Sequence, residues 1–238
     1  MVNADMTTIG NTIRLAVVED HASIRELLVE AFSALAGTEI VGEAATGKDA
    51  IELCERTQPD VLLLDAMLPD LNGLECLQAI RRVAPQVKVL IFSGNTNAMV
   101  VNRALQQGVH GYVEKSASFS EVVTAVQLVA RGGAYFGKAI KPTLYGIRTS
   151  HFPFEAASKL SNRECSVLAA LALGKSSKEI AADLGLSTFT VQNHRRRIKA
   201  KTGLRTTSDL TLHALNLGLV EDPAAQPRDI SPDVTSKN

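Results

Sequence analysis

The chain has 238 residues, 45% hydrophobic and 21% charged, which is the balance of a globular protein with material for one large or two ordinary domains. Its longest wholly apolar run, residues 167–173, falls far short of the roughly 20 needed to span a bilayer. The polar start M-V-N-A-D-M-T-T is no signal peptide, so a cytoplasmic protein without a membrane partner is expected. Net charge is zero but unevenly spread. Residues 13–134 carry 10 basic and 15 acidic side chains, a balance of −5, whereas residues 158–220 carry 10 basic and 4 acidic, a balance of +6. The acidic part suits a cation and the basic part a polyanion. Cys54, Cys76 and Cys165 are odd in number and form no C-x-x-C, so they read as small buried hydrophobes.

Residues 1–12 are polar and patternless, a flexible arm. I-R-L-A-V-V-E-D-H follows, an apolar strand ending in Glu19 and Asp20, and then helical spacing over 23–35 closed by Gly37. The alternation continues. Residues 39–43 read as a strand, Thr46 caps a helix to about 56, 61–65 is an apolar strand ending in Asp65, and 74–83 is a helix. A fourth strand over 88–93 and a helix over 98–107 precede a short fifth strand at 111–114. The Ser118-x-x-Glu121 pattern predicts a capping box for a last helix to 131.

Five strands alternating with five helices predict a doubly wound parallel sheet of flavodoxin-like order 2-1-3-4-5. In that order the first and third strands are neighbours, so Glu19, Asp20 and Asp65 converge on one crevice at the carboxyl ends of the strands. Ser93, at the end of the fourth strand, and Lys115, just past the fifth, close the same rim. An acid at a strand end is ordinary loop chemistry; the joint arrangement is not. Three clustered carboxylates raise one another's pKa until a proton or a cation intervenes, and an all-oxygen site suits Mg²⁺. Asp65 then becomes a candidate nucleophile for phosphoryl transfer, with Lys115 and Ser93 contacting the transferred group.

E-D-H after the first strand, D-A-M-L-P-D-L-N-G after the third, F-S-G after the fourth and G-Y-V-E-K after the fifth resemble the receiver domain of bacterial response regulators. The resemblance implies that Asp65 is the phospho-acceptor and Asp20 a direct Mg²⁺ ligand. It implies Glu19 as a ligand through water, the Met67 backbone carbonyl as a third ligand, and Tyr112 as the aromatic whose rotamer reports activation. Two departures stand out: Glu19 where aspartate is commoner, and Gly94 where alanine usually follows the hydroxyl residue. The latter is expected to loosen the loop.

Residues 135–157 are read as a linker punctuated by Pro142, Gly146 and Pro153, with a short helix near 138–144. Pattern returns at Leu160. Capping boxes at Ser161 and Ser176, a turn at Gly185, and Ser187 before a basic helix to about 202 give a helix-turn-helix, followed by a last helix from Thr206 to 217. By chemistry Gln192 and Asn193 can pair with adenine and Arg196 with guanine in a major groove. L-S-N-R-E, G-K-S-S-K-E-I-A, L-G-L-S and T-V-Q-N-H resemble the LuxR-type output domain. That likeness adds Lys178, Thr190 and Arg195 as phosphate contacts, and Leu210, Leu212, Ala214 and Leu217 as a homodimerisation face, unless they are plain core.

The expected layout is an arm (1–12), a receiver (13–134), a linker (135–157), an all-α four-helix LuxR-type domain (158–220) and a disordered tail (221–238). Together the modules resemble a NarL/FixJ-type response regulator. This implies a sensor histidine kinase as phosphoryl donor, promoter double-stranded DNA as target and RNA polymerase as a further partner. No second active-site constellation points to an enzyme, so the receiver catalyses only its own phosphoryl transfer and dephosphorylation. The alternative is a phosphorylation-independent DNA-binding regulator whose receiver serves as a dimerisation or partner surface.

Overall fold

A computed structural model describes residues 12–71, 73–140, 160–204, 206–217 and 219–220. The expected arm (save Thr12), most of the linker and the tail lie outside the described residues. The first unit alternates β1 (Ile13–Val18), α1 (Ala22–Ser33), β2 (Thr38–Ala44), α2 (Gly47–Thr57), β3 (Val61–Asp65), α3 (Gly73–Val83), β4 (Lys88–Ser93), α4 (Ala98–Gln106), β5 (Gly111–Glu114) and α5 (Phe119–Ala130). All strand pairings are parallel, in the order β2-β1-β3-β4-β5, so β1 and β3 are neighbours as the alternation requires.

Alternate residues of the central strands feed two cores. Ala16, Val18, Leu62, Leu64, Val89 and Ile91 pack with α2, α3 and α4, while Leu15, Val17, Leu63, Leu90 and Phe92 pack with α1 and α5. All five residues of β3 are buried, and its last is a carboxylate.

Among the described residues the sheet has six strands rather than the expected five. Tyr135–Phe136 forms β6, parallel to β5, where the sequence reading begins a linker. Two residues carry no periodicity, so this strand is invisible to pattern. Its anchor is a side chain: the Tyr135 hydroxyl donates to Glu121 Oε1 at 2.9 Å. That bond alters the predicted capping box, since Ser118 Oγ accepts the Glu121 N–H while the Glu121 carboxylate is engaged by Tyr135. A 3-10 helix, Lys138–Ile140, follows, and the rest of the short helix expected to 144 lies outside the described residues.

The second unit holds α6 (Asn162–Ala172), α7 (Ser177–Leu184), α8 (Thr188–Thr202) and α9 (Thr207–Asn216). Complete capping boxes form at Ser161 with Glu164, Ser176 with Glu179, and Thr206 with Asp209. Gly185 and Gly203 end α7 and α8 in the left-handed conformation. The two units touch. Ser208 Oγ donates to the Val109 carbonyl, Leu212 joins the core beneath β4 and β5, and a Cβ on Gly133 would lie 3.1 Å from Gly174 Cα.

Candidate functional site

The crevice forms because β1 and β3 run side by side and stop together. Val18 pairs with Leu64, so Glu19 and Asp65 stand one residue further along neighbouring strands. Both side chains are buried, and Lys115, past the end of β5, bridges them. Its Nζ lies 2.7 Å from Glu19 Oε1 and 2.7 Å from Asp65 Oδ2. Burial works against the Lys115 ammonium, but its hydrogen bonds to Asp65 and Glu19 outweigh that and hold its pKa above the ordinary lysine value. The other Asp65 oxygen, Oδ1, accepts the Met67 N–H at 2.9 Å. Ser93 is buried at the end of β4, its Oγ accepting the Asn95 N–H at 3.2 Å. Tyr112 is buried on β5 with its hydroxyl donated to the Asn95 carbonyl, and burial pushes its pKa up.

Asp20 sits at the mouth, half-buried. Desolvation would raise its pKa, yet the hydrogen bond from His21 holds it below the usual value. The crevice passes a test of fit for a cation. Glu19 Oε2 is buried without a hydrogen-bond partner among the described residues, and Glu19, Asp20, His21 and Asp65 each present a donor atom within 4.8 Å of the others. An orphaned buried carboxylate oxygen in a nest of donors is chemistry for a metal ion.

Three contributors escaped the sequence reading. His21 stands beside E-D and turns its imidazole onto both acids. Arg25, one turn into α1, donates from Nη1 to the Glu19 carbonyl at 2.8 Å, fixing the end of β1. Asp70 ties the loop after Asp65 to the start of α2, accepting the N–H groups of Gly47 at 2.7 Å and Lys48 at 3.1 Å. Its partners lie 23 and 22 residues away, so no local pattern reveals the pair. Those backbone hydrogen bonds, Gly47's first, lower the Asp70 pKa from its ordinary 3.8. A carboxylate whose folded pKa is lowered stabilises fully above the unfolded value and loses that contribution as pH falls through the folded one. Asp70→Ala is therefore expected to melt below wild type at neutral pH, with the gap closing below about pH 3.8; melting curves across that range test it.

On the basic helix α8, Gln192, Arg196 and Arg197 are exposed, as is Lys178 on α7. Thr190, Asn193 and Arg195 are half-buried. Arg195 Nη1 donates to Ser177 Oγ at 3.1 Å and Arg196 Nη1 to Asn193 Oδ1 at 3.2 Å, so two of the proposed contacts also hold α7 against α8 or stay within α8. Of the dimerisation candidates, Leu210, Ala214 and Leu217 pack in the helical core, whereas Leu212 packs into the sheet domain's core. Cys54 and Cys76 are buried as expected, and burial pushes both thiols up to about 12; Cys165 is half-buried. Among the described residues no helix is long and apolar enough to cross a membrane.

Residues 15–127 match the response regulator receiver domain, and residues 158–214 match the bacterial regulatory proteins of the luxR family. The chain is 30% identical over 208 residues to the transcriptional regulatory protein MctR of Rhizobium johnstonii, covering 87% of this chain and 95% of that one. It is 29% identical to the response regulator protein VraR of Staphylococcus aureus, covering 88% of this chain and all, 100%, of VraR. Among solved structures, a LuxR-family two-component response regulator from Aurantimonas sp. is 29% identical with a TM-score of 0.55, covering 58% of this chain and 99% of that one. RcsB from Salmonella enterica, bound to a promoter with a phosphomimetic, shares the fold at 20% identity and a TM-score of 0.54, covering 87% of this chain and 100% of RcsB. With a receiver crevice on one unit and a capped helix-turn-helix on the other, the chain belongs to the response regulators that join a receiver domain to a LuxR-type DNA-binding domain.

Proposed function

We propose that this chain is a two-component transcription factor whose phospho-acceptor is Asp65. What carries the reading is the buried Asp65 carboxylate sharing Lys115 with Glu19, beside an unpartnered Glu19 oxygen. Glu19, Asp20, Asp65 and the Met67 carbonyl would hold Mg²⁺, which neutralises phosphoryl oxygens when bound. An Asp65 oxygen attacks the phosphorus of a kinase phosphohistidine. The new P–O bond gives an acyl phosphate, and the P–N bond breaks with its electron pair returning to the imidazole. Lys115 and the Ser93 hydroxyl then contact the transferred oxygens.

Ser93 and Tyr112 form the switch, linked through the loop whose Asn95 bonds both. Tyr112 in turn reaches the connection to the output unit, because its carbonyl accepts the Gly137 N–H at 3.0 Å. In the output unit α8 exposes Gln192 and Arg196, which with Asn193 are the base readers, while Lys178 on α7 and Thr190 and Arg195 on α8 are phosphate contacts. Helix α9 is partly covered by the receiver through Ser208 and Leu212. Phosphorylation therefore releases a homodimerisation helix rather than a DNA-reading one. Driving such a two-state equilibrium from mostly closed to mostly open takes about 5 kcal/mol of differential stabilisation. The dimer addresses promoter DNA and, through it, RNA polymerase.

Asp65→Ala is expected to abolish labelling by acetyl phosphate in full-length protein; label that persists removes Asp65 from this role. A second reading, DNA binding independent of phosphorylation, draws on Tyr112, whose ring is already buried, and on Gly94, around which a side chain would meet nothing within 4 Å. DNA affinity with and without beryllofluoride, at one fixed salt concentration, separates the two readings: equal affinities favour the second.

A further inference from the structure

Ser187 caps α8, its side chain accepting the Thr190 N–H at 3.0 Å, so Phe189 is the second residue of the helix. Phe189 is 72% exposed, whereas the other large apolar residues of α8, Val191 and Ile198, are fully buried in the helical core. At about 100° per residue, Val191 and Ile198 fall on the side of the helix opposite Phe189. Gln192, Asn193 and Arg196 follow Phe189 at i+3, i+4 and i+7, and so share its face. A single exposed apolar side chain is ordinary on a protein surface. This one heads the row of side chains assigned to base edges, on a helix that also carries Arg195, Arg197, Lys199 and Lys201. Such a helix is charge-complementary to a polyanion, and that singles out DNA as what meets the ring.

In a helix-turn-helix the first residues of the second helix contact base edges in the major groove. A phenyl ring has no hydrogen-bond donor or acceptor with which to read those edges. The one apolar group displayed there is the C5 methyl of thymine. We propose that Phe189 is a specificity-determining residue that reads a thymine through its C5 methyl, beside the base pairs addressed by Gln192, Asn193 and Arg196. The proposal rests on the reading of α8 as the helix that enters the groove, and deepens it by naming a base. An apolar contact of this kind releases no counterions. Its loss therefore leaves the salt dependence of binding unchanged, whereas the loss of a phosphate contact reduces it.

The test begins by selecting duplexes from random-sequence DNA with full-length wild type, in beryllofluoride and Mg²⁺. Affinities of wild type, Phe189→Ala and Phe189→Leu are then measured on the enriched duplex and on copies in which each thymine in turn is replaced by uracil, which removes the C5 methyl alone. At one thymine position wild type is expected to lose about 4-fold for each half-site, the worth of a buried methyl group. Phe189→Ala should bind the thymine duplex more weakly, be indifferent to uracil at that position, and keep the wild-type response at every other. Its slope of log affinity against log salt should match wild type. Phe189→Leu, which keeps an apolar side chain, should recover part of the thymine preference. A wild type indifferent to uracil everywhere, or a Phe189→Ala protein that keeps the wild-type response at every position, overturns the role of Phe189 and leaves the DNA-reading helix standing. Failure of wild type to enrich any duplex overturns both.

Discussion

Lys115→Met is expected to destabilise the receiver by about 3 kcal/mol at neutral pH, with the deficit closing only at strongly alkaline pH. The mutation removes the shared partner of two buried carboxylates, whose side chains are 3% exposed for Asp65 and 1% for Glu19. Breaking a buried pair leaves an uncompensated charge at a cost of roughly 3–5 kcal/mol, and the lower end applies because Lys115 is itself 19% exposed. In wild type the raised lysine pKa stabilises below its unfolded value of 10.5 and is lost only as pH rises through the folded one. The variant has no ammonium to lose, so its deficit against wild type closes only where Lys115 itself deprotonates. Denaturant melts at neutral pH and above the ordinary lysine value of 10.5 test this, and an equal deficit at both would refute it.

Gly73→Ala is expected to cost about 3 kcal/mol, the upper end for overpacking, and to slow acetyl-phosphate labelling by about 100-fold. A Cβ at Gly73 would sit 2.0 Å from the Asp65 carbonyl oxygen, 3.0 Å from its carbon and 3.1 Å from Ala66 Cα. All three are backbone atoms, so no rotamer change relieves the clash. Gly73 N–H also donates to the Ala66 carbonyl at 3.0 Å, so the only escape displaces the loop that carries the acceptor. Gly94→Ala is the control. It meets nothing within 4 Å, its backbone is not left-handed, and it should melt within about 0.5 kcal/mol of wild type or slightly above. Melts and labelling of both variants test the contrast; a Gly73→Ala protein that labels at the wild-type rate would show that the loop yields without cost.

The features legible in the sequence were those written over a few neighbouring residues. The span of β3 followed from four apolar residues meeting Asp65, and the caps at Ser161, Ser176 and Thr206 from a hydroxyl three residues before an acid. The crevice was legible because its acids end strands whose order the alternation dictates. Pairings across distance were not. Asp70 meets Gly47 only once α2 and α3 lie side by side, and Glu121 meets Tyr135 only because the chain turns back beside β5. Helical spacing marked Leu210, Leu212, Ala214 and Leu217 as apolar, yet spacing names no partner. Three of them serve the helical core and Leu212 serves the receiver.

The short strand β6 has one more consequence. Without it β5, which carries Tyr112 and leads to Lys115, would be the sheet's margin, with unpaired backbone groups able to template pairing with another molecule. A margin two residues long offers almost nothing to copy. The strand that bears the switch is thereby shielded from capture by a second chain, so association is left to surfaces that can be regulated.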